Sequence, residues 1–167
     1  MKVTSKAVRI AILILIIMAN IGCDQVSKNI VRNTISQHES IPLFNSHFIL
    51  MNIENTGAFL SFGDSLSSTS KSILLSLFPL LALVAGFIYL IRSKHLAPVF
   101  SLGLCFVIGG GIGNLFDRIV HGSVTDFLFI HAGIFRTGIF NLADVSIMTG
   151  TGIILLHSLL RTRKSTA

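Results

Sequence analysis

Apolar positions in this chain fall into long runs separated by short polar breaks, with little of the regular alternation that marks an amphipathic surface helix. Ser72 to Ile91 is 20 residues without a charge and Leu96 to Phe116 is 21. Roughly 20 apolar residues suffice to cross the hydrocarbon core of a bilayer. Thr137 to Leu160 is long enough but carries Asp144 near its start. Ile10 to Cys23 is charge-free for 14 residues, about 21 Å of helix, so it crosses only if Asp24 and Lys28 sit at the far interface. The pattern predicts a mainly α membrane protein with four spans, at approximately 8–26, 72–92, 96–116 and 138–160. The whole chain, 1–167, is expected to form one integral-membrane domain.

The long polar-flanked segment after the first span has a different rhythm. Ile41 to Phe62 mixes Phe and Ile with Asn and Gly, which predicts two or three short strands with turns at Asn45 and at Asn55-Thr56-Gly57. A small sheet, about 41–63, is expected to rest on the membrane surface. The Ser-rich stretch 63–72 is expected to be a short helix or loop.

Composition reinforces the membrane reading. Half of the chain is apolar (51%) and only 12% is charged, against about 25% charged in soluble domains. The net charge is +6, yet the basic residues form no stripe interleaved with aromatics, so nucleic acid is not an expected partner. Position matters more than the total. Lys2, Lys6 and Arg9 precede the first span, Arg92 and Lys94 lie between the second and third, and Arg161, Arg163 and Lys164 close the chain. The positive-inside rule then predicts cytoplasmic N- and C-termini, with 28–71 and 117–136 outside.

Met18 to Cys23, ending Gly22-Cys23 after a basic start and an apolar core, has the outline of a bacterial lipoprotein signal. Asn20 stands where such a signal has an aliphatic residue, and cleavage would release three further spans, so the chain is not read as a lipoprotein precursor. Asn20, Asp24 and Lys28 instead share one helix face by their spacing of four. A snorkelling ion pair at the interface would account for Asp24 and Lys28 alone.

The chain has seven carboxylates, Asp24, Glu39, Glu54, Asp64, Asp117, Asp126 and Asp144. Several lie in or beside the spans at their outer ends, where ionisable groups are costly and mark functional sites. Gly110, Asn114 and Arg118 share a face of the third span, within a glycine-dense run that permits close approach. Val124-Thr125-Asp126-Phe127 suits a short strand. Asn141 and Asp144, three apart at the opening of the fourth span, also fit a helix capping box. Two carboxylates meeting at one site cannot both ionise easily, so one retains a proton near neutral pH. Such a pair can activate water and protonate a leaving amine.

The two cysteines and six scattered histidines form no zinc-binding spacing, and there is no GxSxG elbow. No metal or organic cofactor is expected. A small transporter with intramembrane carboxylates and a non-catalytic lipoprotein-binding membrane protein remain the alternatives to an enzyme.

Five blocks, read in order, carry a resemblance. They are Asp24-Gln25-Val26-Ser27-Lys28, Asn55-Thr56-Gly57-Ala58, Gly110 to Arg118, Gly122 to Phe127, and Phe140-Asn141-Leu142-Ala143-Asp144. With them, the chain resembles the lipoprotein signal peptidases (signal peptidase II) over essentially its full length. The resemblance implies a four-helix membrane bundle with a periplasmic β-cradle and a short outer helix. It implies that Asp126 and Asp144 are the catalytic pair of an aspartic endopeptidase, and that Asp24, Lys28, Asn55, Gly57, Gly110, Asn114, Arg118, Asn141 and Ala143 shape the site. The implied substrates are diacylglyceryl-modified prolipoproteins, cut immediately before the lipidated lipobox cysteine, with acyl chains lying against the bundle among membrane lipids. The implied location is the bacterial inner membrane, multi-pass, with the active site on the periplasmic side; a monomer is expected. Asn114 and Arg118 are expected to orient the acids, and Asp24 with Lys28 to brace the first helix. Phe59 departs from the family pattern, which has a small residue there, so the cradle's contact with substrate is expected to differ.

Overall fold

A computed structural model describes residues 6–37, 39–44, 47–57, 69–70 and 73–165. Four helices among these are long and apolar enough to cross a membrane. They are α1 (Lys6–Thr34), α2 (Ile73–Arg92), α3 (Pro98–His121) and α4 (Leu142–Ser165). Large apolar side chains such as Leu15, Met18, Leu81, Met148 and Leu159 are exposed on their outer faces. This is the surface expected where the surrounding solvent is hydrocarbon rather than water.

Helix ends follow local chemistry. Pro79 has no N–H to give to the preceding turn, and α2 opens with a π-helical turn over Ile73–Leu77 before the regular helix begins at Phe78. Pro98 opens α3, a position where the missing N–H costs nothing. The same helix closes at Gly122, whose φ of 77° gives the left-handed cap and whose N–H donates to the Arg118 carbonyl.

Helix α1 outruns its predicted span. At 29 residues it is about 44 Å long, and Asp24 and Lys28 are buried inside the protein. Their charges are met by protein partners, so the helix continues for further turns past the apolar run. Helix α4 begins at Leu142, later than the apolar run suggests, because Phe140 pairs with Leu128 of the sheet.

Four antiparallel strands stand at one end of the bundle in the order β1 (Ser40–Leu43), β2 (Phe48–Asn55), β3 (Val124–Ala132) and β4 (Phe135–Arg136). The β3–β4 hairpin turns at Gly133, φ 62°. Between β2 and β3 the register slips, from Leu50 opposite Leu128 to Ile53 opposite Asp126. This bulge adds one residue to β2 directly beside Asp126, the kind of local bend that re-aims side chains near sites. The expected turn at Asn45, Phe59 and most of 63–72 lie outside the described residues.

Two apolar clusters hold these parts together. Leu13, Ile17, Leu90, Cys105 and Ile108 lock α1, α2 and α3, while Val31, Ile35 and Phe127 join the far end of α1 to the sheet. The second cluster fixes the sheet over the helix ends where the carboxylates lie.

Candidate active site

Asp126 sits third in β3, where the strand crosses over the ends of the helices, and is 4% exposed. Its Oδ2 accepts from Asn55 Nδ2 at 2.8 Å and its Oδ1 from Asn141 Nδ2 at 2.7 Å. Burial pushes its carboxyl up to about 6, and the neighbouring Asp144 adds to the rise, against the opposing effect of the two amide donors. The group therefore holds a proton far more readily than an exposed aspartate.

Asp144 occupies the first turn of α4. Its backbone N–H donates to Asn141 Oδ1 at 3.0 Å, while the Asn141 N–H donates to Asp144 Oδ2 at 3.1 Å. This is a capping box, and it is more than a helix start. With its backbone Asn141 holds Asp144, and with its side chain it holds Asp126. The remaining oxygen of Asp144, Oδ1, accepts from Asn114 Nδ2 at 2.8 Å. Thus the two acids, one on a strand and one on a helix, are brought to a single asparagine.

Beneath them lies a fully buried charged layer. Lys28 Nζ contacts Asp24 Oδ2 at 2.8 Å, Asp117 Oδ2 at 2.9 Å and Asn114 Oδ1 at 2.9 Å. All three protons of the ammonium thus find acceptors, as a buried lysine requires. The other oxygen of Asp24 caps α4, accepting from the Ala143 N–H at 2.9 Å. Asp24 and Lys28 therefore tie α1 to α3 and α4, and no snorkelling is involved.

Several contributors were not among the sequence-based candidates. Gln25 Nε2 stands 3.1 Å from each of Asp24 Oδ2, the Gly113 carbonyl and Asp117 Oδ1. Arg32 pairs with Asp117 Oδ1 at 3.0 Å and donates to Thr125 Oγ1 at 2.7 Å, next to Asp126 in the strand. The 24, 28, 32 spacing along α1 and the 114, 117 spacing along α3 already place these side chains on the right helix faces. Only the fold reveals that the two faces meet.

The glycines act through backbone proximity. A Cβ on Gly110 would collide with the Ala143 carbonyl oxygen, so α3 and α4 approach closely only because it is absent. Arg118 departs from expectation. Its Nη2 donates to the Gly57 carbonyl at 2.9 Å, and no hydrogen bond joins it to either acid among the described residues. Gly57 in turn donates its N–H to Asn55 Oδ1 at 2.9 Å. Arg118 therefore steadies the segment after β2, and through it Asn55, by hydrogen bonding, while its charge acts on both acids without direct contact. All eleven candidate residues converge on this one region.

Comparisons with known proteins identify the family. The profile of the family described as Signal peptidase (SPase) II matches residues 15–160. The chain belongs to the signal peptidase II family. It is a membrane peptidase of the aspartic type. A lipoprotein signal peptidase of Clostridioides difficile is 37% identical over 153 residues, covering 91% of this chain and 97% of that protein. One from Symbiobacterium thermophilum is 35% identical over 147 residues, covering 86% and 91%. A solved structure of a bacterial membrane enzyme superposes with a TM-score of 0.81 at 25% identity, covering 92% of this chain and 90% of that one. These matches favour the peptidase over the transporter and the non-catalytic binding protein.

Proposed function

We propose that Asp126 and Asp144 are the catalytic pair and that the substrates are prolipoproteins whose lipobox cysteine already carries diacylglycerol. The observation that carries this reading is the position of Asn141, bonded at once to both carboxyl groups. The carboxylate Asp144 takes a proton from a water as that water attacks the scissile carbonyl carbon. Protonated Asp126 donates to the carbonyl oxygen, giving a neutral tetrahedral diol. Collapse returns a proton to Asp126, while Asp144 passes its proton to the departing amine of the lipidated cysteine. The pair then carries the same single shared proton as before.

The signal helix docks from the bilayer as the chain works, a monomer and a single integral-membrane domain, in the bacterial inner membrane. The bias of basic residues supports a cytoplasmic location for both termini, which puts the acids at the periplasmic side. Asp24, Lys28 and Asn114 hold Asp144; Asn55, Gly57 and Arg118 hold Asp126; Gly110 and Ala143 set the gap between α3 and α4.

The test is Asp126→Asn and Asp144→Asn, each in proteoliposomes with a diacylglyceryl-modified prolipoprotein. Each is expected to lose at least about a thousandfold in cleavage rate while remaining folded and inserted. Either variant keeping a tenth of wild-type activity overturns the assignment.

A further inference from the structure

At the end of the bundle opposite the acids, α1 and α3 enclose a cleft of about 440 Å³ that the catalytic reading does not use. Its walls include Ile12, Ile16 and Leu102, and Arg9, Lys94 and Ser101 also line it. We infer that this cleft binds an anionic glycerophospholipid, its phosphate between Arg9 and Lys94 and an acyl chain along Ile12, Ile16 and Leu102.

Three observations separate it from ordinary lipid-facing surface. The first is charge. Asp24, Glu39, Glu54, Asp117, Asp126 and Asp144 all belong to the site, the sheet or the helix ends beside them. Arg9 and Lys94 have no carboxylate partner among the described residues. The second is rigidity. Arg9 Nη2 donates to the carbonyls of Leu90 and Ser93 at 3.1 and 2.9 Å, which pins the guanidinium at the cleft rather than leaving it loose in the headgroup region. The third is an unmet hydroxyl. Ser101 is 4% exposed and its Oγ has no hydrogen-bond partner among the described residues.

The helix register gives these groups an order along the membrane normal. Cys105 Sγ meets the Leu13 carbonyl at 3.7 Å, so Ser101 and Arg9, each one turn earlier, lie at about the same level. From that level the Arg9 side chain runs toward the α2–α3 connection and Lys94, while Ile12 and Ile16 lead deeper into the hydrocarbon. Phosphate, ester carbonyl and acyl chain follow one another in the same order in a glycerophospholipid, and the ester oxygen would accept from Ser101. An anionic headgroup fits better than a zwitterionic one, which brings its own cation against Lys94. Basic pockets between helices recognise such lipids by the same chemistry.

The test is native mass spectrometry of the full chain, delipidated in detergent and titrated with phosphatidylglycerol or phosphatidylcholine of identical acyl chains. Wild type is expected to bind one phosphatidylglycerol at least about fivefold more tightly than phosphatidylcholine, and millimolar inorganic phosphate is expected not to displace it. Lys94→Gln is expected to weaken phosphatidylglycerol about fivefold, the effect of one cation near a phosphate, and to erase most of the preference. Ser101→Ala is expected to weaken both lipids alike, since both carry the ester. Lys6→Gln, a charge removed at the same end but outside the cleft, is expected to change neither. Equal wild-type affinity for the two lipids overturns the inference, as does Lys94→Gln acting no more strongly than Lys6→Gln. Displacement by inorganic phosphate overturns it too, since it would mark a site for a free ion. Cleavage activity in detergent is expected to be unchanged in Lys94→Gln, which verifies that the variant is folded.

Discussion

Lys28 Nζ donates to Asn114 Oδ1 at 2.9 Å, and this bond decides which way the Asn114 amide faces. With Oδ1 occupied by the ammonium and by Asn141 Nδ2, the Nδ2 group is left to donate to Asp144. A lysine of α1 thereby sets the donor that one candidate acid meets on α3. Asn114→Asp keeps the acceptor for Lys28 but replaces the donor with a second carboxylate beside Asp144. Its expected result is a loss of at least about a hundredfold in kcat, with little change in KM. An equal effect of Asn114→Asp on KM would contradict the positioning role.

The charged layer itself makes a stability prediction. Lys28→Met leaves Asp24 and Asp117 buried without their shared cation, and removing one partner of a buried pair costs about 3–5 kcal/mol. Asp24→Asn in the same background removes the charge left without a cation, since Asp117 keeps Arg32 at 3.0 Å, and is expected to restore part of the loss. The measurement is thermal unfolding in detergent, read by a thiol-reactive dye on Cys105, which is fully buried, with exposed Cys23 changed to Ser. A double variant no more stable than Lys28→Met would show that the two charges are not coupled.

What could be read from the sequence divides along physical lines. The spans were legible because hydrocarbon imposes a length and a composition, and a run such as Ser72 to Ile91 admits little else. Asn141 and Asp144 were legible as a capping box because that motif is local. The role of Arg118 was not, since its partner is the Gly57 carbonyl, 61 positions away. Asp117 and Gln25 sat inside recognisable blocks, yet their work depends on α1 and α3 packing face to face. The bulge beside Asp126 has no signature in β2 that a reader of the sequence would notice. Local patterns and solvent matching were readable; long-range hydrogen bonds and strand register were not.

Two glycines separate close packing from mere helix weakness. At Gly110 an added Cβ meets the backbone oxygen of Ala143, which cannot rotate away, with Ile147 and Ser146 close beside it. Gly110→Ala is expected to push α3 from α4 one turn from Asp144 and to lower kcat about a hundredfold, the effect of misplacing a reacting group by about 1 Å. At Gly152, on α4, nothing lies within 4 Å of the added atom. Gly152→Ala is expected to leave activity unchanged and to stabilise the helix by about 0.5–1 kcal/mol. Parallel loss of activity in both would point to helix flexibility rather than contact as the cause.

Asp126 ties activity and stability to pH in the same sense. In the folded chain its carboxyl is raised to about 6, chiefly by burial, whereas in the unfolded chain an aspartate titrates near 3.9. Between about pH 4 and 6 the folded state therefore holds a proton that the unfolded state has released. Stability from this group is complete below about pH 4 and is lost as the pH rises to about 6, by up to about 1.4 kcal/mol per pH unit. Asp126→Asn has no proton to lose and is expected to remove that slope from the Cys105 unfolding profile. Activity follows the same titration. The shared proton leaves the free enzyme as the pH passes about 6, so kcat/KM is expected to fall on its alkaline side from there, and kcat at higher pH once substrate excludes water. Asn55→Ala removes a donor that favours the ionised form, and is expected to move the alkaline limb of kcat/KM upward while lowering its maximum. A downward shift in that variant would mean that another group carries the proton.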